Sequence, residues 1–298
     1  MSKLISERIP RRFASTDNAM MDRRISMTAC CALLLIASGS KTLYAACEFT
    51  VQGEGHVSSV LDARTIRLAD GRDVRLSGIE IADDATGRSK DALAGLIGGR
   101  AVTLRAPDDT PDRYGRQPTF VTLEGTDRPV QFDLLNRGDA FASPSVRDQP
   151  CSRALLAAEA IARSARRGIW AGSAALKNAK SADDILSRRG RFTVVEGTVS
   201  SARLAGATFY VNFGRRWTRD FAVTISRRMM ASVEATGIDL KSLKDKRVLV
   251  RGWIETRGGP GRGPRIEVTQ AGQIEIIGAA RPGESLAATA TVPEEEGK

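Results

Sequence analysis

The sequence predicts a mainly β protein with packed α-helices, arranged as two small β-barrel units in tandem. Three observations carry that expectation. Short runs in which apolar and polar residues alternate recur between turn-forming residues, first at 53–75 and again at 192–278. Helical spacing is confined to a few segments, of which 152–168 is the longest. Between the two β-rich stretches, 173–190 reads as a linker ending in Arg188-Arg189-Gly190-Arg191. The expected units are therefore 47–172 and 191–279, followed by an Ala-, Thr-, Pro- and Glu-rich tail at 280–298 that is expected to be disordered.

Residues 1–46 read as a leader. Met20-Met21-Asp22-Arg23-Arg24 is a basic start, 27–36 is apolar, and small residues run to Ala45-Ala46, the pattern of a secretory signal peptide. The apolar run is far shorter than the roughly 20 residues of a membrane-spanning helix. Residues 1–19 read as an upstream extension, with Met20, Met21 or Met27 as the start. The expected location is the periplasm or the exterior, with no transmembrane segment in the mature chain.

In the first unit, Val57, Val60, Thr65, Ile66 and Leu68 alternate with polar positions, Ala69-Asp70-Gly71 turns the chain, and Val74-Arg75-Leu76 opens the next strand. Ser89 is placed to cap a helix that runs to Ile97 and stops at Gly98-Gly99. A strand at 101–104, a polar loop at 107–118 and a strand at 119–123 follow. A short helix at 131–137 ends at Gly138. In the helix at 152–168, Leu155, Ala158, Ala162 and Ala165 form an apolar stripe, and its late basic residues suit the helix dipole. The second unit has strand candidates at 192–199, 208–213, 220–224, 247–255, 265–268 and 273–277, with a helical patch at 225–236. Several short strands around one helix suggest a small closed barrel of OB type.

Charge bounds the partners loosely. The chain has 45 Lys and Arg against 35 Asp and Glu; removing the seven and three in the leader leaves 38 against 32, a net +6. That suits a polyanionic partner without requiring one. Of four cysteines, Cys30 and Cys31 lie in the leader. Cys47 and Cys151 remain, and two readings stay open: a disulfide, as an oxidising compartment favours, or a lipid-acylated Cys47 after Leu43-Tyr44-Ala45-Ala46.

From about Gly55 to Trp170 the chain resembles the staphylococcal nuclease (thermonuclease) family. The resemblance rests on V-L-D-A-R-T-I-R-L, D-G-R-D-V-R-L-S-G-I, P-D-R-Y-G-R, L-L-N-R-G-D-A and A-E-A-I-A-R-S-A-R-R-G-I-W, which occur in that order. It implies a five-stranded OB barrel with packed helices and, in the family's secreted enzymes, calcium-dependent hydrolysis of DNA and RNA. Phosphodiester hydrolysis builds charge on the non-bridging oxygens, so fixed cations act most strongly in the transition state. By the resemblance, Arg75 and Arg116 stand at the two phosphate-clamping arginines, each able to offer a two-pronged donor. Glu80 matches a calcium-binding carboxylate, Ile81 the carbonyl ligand, and Asp83 the general base, one methylene short of the family's glutamate.

One departure reverses a charge. Asp62-Ala63-Arg64-Thr65 stands where the family has an Asp-Gly-Asp-Thr turn, so Arg64 replaces a calcium ligand. A guanidinium for a carboxylate changes the local charge by two units, against an ion that takes six to eight oxygens. Asp62 cannot step in, lying roughly 7 Å along the strand. Calcium is thus expected only if the altered site still holds metal, and Arg64 is expected to occupy the missing cation's space and to bind phosphate together with Arg75 and Arg116. Base-packing tyrosines of the family are also missing; Phe141 is the one aromatic there.

Other candidates are weaker. His56 is the only histidine, which disfavours histidine-based metal sites, and it reads as a strand-surface residue. Tyr114 and Trp170 read as packing residues. Tyr210, Phe213, Trp217 and Phe221, with Arg215, Arg216 and Arg219, form either a binding face or core aromatics beside a solvated hairpin. The Gly- and Pro-rich 257–264 is either a phosphate-contacting loop or, as such composition more often marks, a flexible hairpin. Three functions follow: a degenerate nuclease-like binder of DNA, RNA or another phosphorylated ligand; an active metal-dependent endonuclease or phosphodiesterase using Arg75, Arg116, Glu80 and Asp83; or an envelope protein-interaction module.

Overall fold

The computed structural model describes residues 47–81, 87–172, 174–256 and 262–279. The expected leader at 1–46, the candidate Asp83, residues 257–261 and the residues from 280 lie outside the described residues. The first unit runs β1 (Val51–Asp62), β2 (Thr65–Leu68), β3 (Asp73–Leu76), β4 (Ile79–Glu80), α1 (Arg88–Ile97), β5 (Ala101–Arg105), β6 (Gln117–Leu123), α2 (Val130–Arg137), β7 (Phe141–Ala142) and α3 (Gln149–Ser164).

Five of these strands close a barrel in the order β1-β2-β3-β6-β5. Closure depends on β1, which pairs antiparallel with β5 through its first half and with β2 through its second. Irregularities in register at Val51/Gly53, Val57/Ser59 and Val60/Asp62 bend it so that one strand serves both neighbours. Alternation sets the faces. Ile66, Leu68, Val74, Leu76, Val102 and Leu104 are buried, while Arg67, Asp73 and Arg75 lie on the opposite side of their strands. A slip of one residue would exchange these sets, so the apolar pattern holds the arginines outside the barrel.

Helix starts and stops follow local chemistry. α1 begins at Arg88 after Gly87 in the left-handed region, not at a Ser89 cap; Ser89 is instead buried in its first turn. α2 ends at Gly138 (φ 74°), whose N–H donates back to Leu134 and Leu135. A Cβ at Gly138 would lie 2.4 Å from the Arg167 carbonyl oxygen, and one at Gly168 2.1 Å from that of Gly138. Two motif glycines 30 residues apart therefore meet backbone to backbone, and Ile169 N–H donates to Gly138 O at 2.8 Å. α3 starts on Asp148, whose side chain accepts from Cys151 N–H at 2.8 Å.

Cys151 lies in that first turn and is bonded to Cys47, with Cα atoms 4.6 Å apart. The disulfide is thus the correct reading of the two cysteines. An acylated Cys47 is excluded in this state, because its sulfur is already bonded and buried in the barrel core.

The second unit contains β8 (Leu176–Asn178), α4 (Ala182–Leu186), β9 (Phe192–Thr198), β10 (Ser201–Ala205), β11 (Thr208–Asn212), β12 (Ala222–Ser226), α5 (Arg227–Glu234), β13 (Lys246–Trp253), β14 (Arg265–Val268) and β15 (Ile274–Ala279). Within the expected linker at 173–190, the described residues 174–190 are structured: β8 adds to β9 in parallel, and Ile185 of α4 is buried in the second core. The strands form two four-stranded sheets, β10-β11-β12-β14 and β15-β13-β9-β8, in place of one continuous closed barrel. They meet at corners, where β9 passes into β10 and where Glu255 bridges Arg265. No helix among the described residues is long and apolar enough to cross a membrane.

Both units pack as one compact body. Phe141, Ala162 and Trp170 of the first share a cluster with Phe192, Val194 and Leu249 of the second. Beside it, Arg251 of β13 reaches Glu159 of α3 at 2.8 Å, both side chains being essentially inaccessible.

Candidate functional site

The β1–β2 turn is tight: Asp62 pairs with Thr65 across it, so Ala63 and Arg64 form the bend. Asp62 stabilises the bend by accepting from Arg64 N–H at 2.8 Å. Its carboxylate is thereby a local cap. Leu76 N–H donates to Arg64 O at 2.8 Å, which ties the bend to β3.

The Arg64 side chain runs to β4. It forms a salt bridge with Glu80, and its Nη1 donates to the Ile79 carbonyl at 2.9 Å. Both side chains are more than four-fifths buried. Glu80 also accepts from Ser143 Oγ at 3.2 Å, beside the β4–β7 pairing. A carboxylate and a backbone carbonyl thus converge on a guanidinium. The carbonyl that accepts from Arg64 is that of Ile79, two residues before the Ile81 that the resemblance gives as a metal ligand. Arg64 Nε and Thr65 Oγ1 are buried and have no hydrogen-bond partner among the described residues.

Arg75 and Arg116 are brought to one face. β3 and β6 run parallel, with Arg75 opposite Pro118 and Val74 opposite Gln117. Arg116 then lies one position before this ladder, on the same side as Arg75, with Cα atoms about 8 Å apart from strand spacing and rise. Both are half-buried. Arg116 is held by Asp112, whose Oδ2 receives Nε at 2.9 Å and Nη2 at 2.7 Å. The other oxygen of Asp112 accepts from Tyr114 N–H at 2.9 Å and Arg116 N–H at 3.1 Å. One carboxylate therefore shapes the D-R-Y-G-R turn and aims its last arginine, leaving Nη1 outside the pair. Asp73 on β3 is held low by its hydrogen bond from Arg67, and, against opposing burial, by the charges of Arg67 and Arg116.

Burial acts to raise the Asp112 pKa, but the Arg116 side chain and the Tyr114 and Arg116 N–H groups together hold it below the usual range. A depressed carboxyl stabilises the fold fully above its unfolded value of about 3.9 and loses that contribution as pH falls through the folded value. The unfolding midpoint of Asp112→Asn should therefore lie a constant amount below wild type from about pH 5 to 8, with the gap closing below about pH 4. Thermal unfolding across that range measures it.

The remaining candidates divide. His56 is an exposed strand residue, as expected. Tyr114 is not a packing residue: it is 66% exposed, with Arg113 and Arg116 over its ring at 4.8 and 4.9 Å. Its place at the tip of a polar turn leaves it nothing to pack against except those cations. Trp170 is buried and meets Phe141 edge-on at 5.4 Å. Phe141 is thereby committed to the junction of the units and offers no stacking surface. Phe213 and Phe221 are core, Tyr210 is half-buried, and Trp217 is exposed.

Sequence reasoning missed Ser143 and the Ile79 carbonyl, which no local pattern marks. It also missed the Glu159–Arg251 pair. Here a signal exists: Glu159 stands on the apolar stripe of α3, and Arg251 interrupts the apolar run Val248-Leu249-Val250.

The described residues of the site, which leave out Asp83, do not fit a calcium ion. Among the described residues no group of three or more His, Cys, Asp or Glu side chains could hold a metal. The carboxylate best placed for one is neutralised by Arg64. No protein-family model matches the chain, and no curated protein matches it.

Proposed function

We propose that the protein is a thermonuclease-like, OB-type binder of phosphodiesters whose catalytic metal position is filled by its own Arg64. The observation that supports this most is the convergence of Glu80 and the Ile79 carbonyl on the Arg64 guanidinium. A guanidinium supplies one fixed positive charge and hydrogen-bond donors. It has no open coordination position and cannot bind and acidify a water molecule as a metal does. The site keeps the means to attract a phosphodiester and lacks the means to generate its nucleophile. Arg75 and Arg116 contact the phosphate, with Asp112 as the positioning residue for Arg116. The second unit is an OB-like module in this reading. Export to the periplasm or beyond agrees with the leader pattern and with the Cys47–Cys151 bond.

The test uses a short DNA duplex, whose paired bases leave mainly phosphates to be read, with calcium, magnesium or manganese present in turn. The expected result is binding without cleavage, weakened by salt and reduced about 10-fold or more by Arg75→Ala/Arg116→Ala, as for the loss of charged hydrogen bonds of ~1.5–3 kcal/mol. Metal-dependent cleavage abolished by Arg116→Ala would establish the enzyme reading instead. Absent or salt-insensitive binding would leave the protein-interaction reading.

A further inference from the structure

A second basic surface lies on the other unit, in the connection from β11 to β12. Phe213 and Phe221 anchor its ends in the core, with ring centroids 5.1 Å apart. Between them the chain folds onto Asp220, whose carboxylate accepts from Arg216 N–H at 2.8 Å. Arg219 and Asp220 N–H both donate to Arg216 O at 2.8 Å, and Gly263 N–H donates to Thr218 O at 2.8 Å. Gly214 is required here, because a Cβ would lie 2.1 Å from Asp220 Oδ2. The connection is thus a braced turn.

That brace holds Trp217 out of the core with 58% of its surface exposed. The Arg262 guanidinium stands 6.0 Å from its ring centroid. Arg262 also lines a cavity of about 540 Å³, together with Lys180, Arg216, Arg219 and the acids Asp183, Asp184 and Asp220. Two of those acids are engaged within the fold, Asp184 by Lys177 at 2.8 Å and Asp220 by Arg216. With the Arg216–Asp220 pair set aside, the three cations Lys180, Arg219 and Arg262 face the single remaining acid, Asp183. The volume falls within the usual range for a small-ligand site, about 300–1,000 Å³.

An exposed indole at the edge of a cationic cavity matches the two needs of an unpaired nucleotide. The ring offers a stacking platform that any base accepts, and the arginines and lysine receive the phosphate. We propose that this cavity and Trp217 bind a nucleotide unit, with the phosphate against Arg219, Arg262 and Lys180 and the base on the indole. The ligand chemistry is that of a free nucleotide or of one residue in a single strand. A duplex is disfavoured, because its bases are already stacked and paired. The site uses no residue of the Arg75–Arg116 face and stands independently of it.

The experiment uses the full chain carrying Arg75→Ala/Arg116→Ala, so that failure at that face cannot be confused with failure here. Binding of a labelled oligothymidylate of about 12 nucleotides, within the ~4–16 nucleotides of single-strand binding surfaces, is followed by anisotropy and by tryptophan quenching. Single-strand binding should persist in this background and weaken about 5- to 150-fold on Trp217→Ala, the range for loss of one stacked base. Arg219→Ala/Arg262→Ala should lower the slope of log affinity against log salt by about 1 or more. Competition by thymidine monophosphate would identify free nucleotides as sufficient; competition by oligomers alone would identify the strand as the ligand. The proposal is overturned if Trp217→Ala changes affinity less than twofold, if duplex binds as tightly as single strand, or if no binding remains. Equal displacement by polyglutamate would also overturn it, since that would mark a surface for acidic polypeptides.

Discussion

Glu159→Ala is expected to lower the unfolding free energy by about 3–5 kcal/mol, the cost of leaving a buried charge without its partner. Glu159 is fully buried and Arg251 is 1% exposed. One oxygen of Glu159 accepts from Ala142 N–H at 2.6 Å and from Arg251 Nη1 at 2.8 Å; the other accepts from Arg163 at 3.0 Å. Arg251 Nη1 also reaches the Ala142 carbonyl at 3.2 Å. The remaining terminal nitrogen of Arg251 has no hydrogen bond among the described residues and stands 3.7 Å from Glu275. Truncating either partner strands the other inside the junction of the two units. Replacing both with apolar residues removes both desolvation costs, so Glu159→Leu/Arg251→Met should cost much less than the two alanine variants summed. Urea unfolding of the three proteins measures this, and simple additivity would refute the coupling.

Reduction of the Cys47–Cys151 bond is expected to have an effect of similar size. The bridge joins residues 104 apart in sequence, and closing a loop near 100 residues restricts the unfolded chain by about 4.7 kcal/mol in the entropy model. It also pins the segment before β1 to the first turn of α3 inside the barrel core. The urea midpoint should fall sharply when reductant is added. Cys47→Ser/Cys151→Ser should start at the lower value and ignore reductant. Equal midpoints with and without reductant would contradict this.

What the sequence revealed depended on whether information was local. The barrel strands were readable because Ile66, Leu68, Val74 and Leu76 alternate with charged residues on a surface that is buried on one side. β10 was not, since its burial alternates weakly and Leu204 is 44% exposed at a sheet edge. β8 is three residues long and gains its identity only by lying beside β9. The continuous second barrel expected from strand count became two sheets, because strand number does not specify which edges pair.

The candidate site followed the same rule. Arg64 was identifiable as a substitution within a turn motif, and Arg75 and Arg116 as members of their own short motifs. Their partners were hidden. Asp112 is four residues from Arg116 and could be guessed; Ser143 is 63 residues from Glu80 and could not. The Arg64–Ile79 contact needs the barrel to bring β2 and β4 together. Likewise, Trp217 separated from Phe213 and Phe221 only once the braced turn was in place.

Calcium titration by calorimetry, on wild type and on Arg64→Asp, tests the central claim that an arginine stands in the metal's place. The account predicts no binding heat for wild type and saturable binding for Arg64→Asp that Glu80→Gln removes. Saturable calcium binding by the wild-type protein that depends on Glu80 would contradict it.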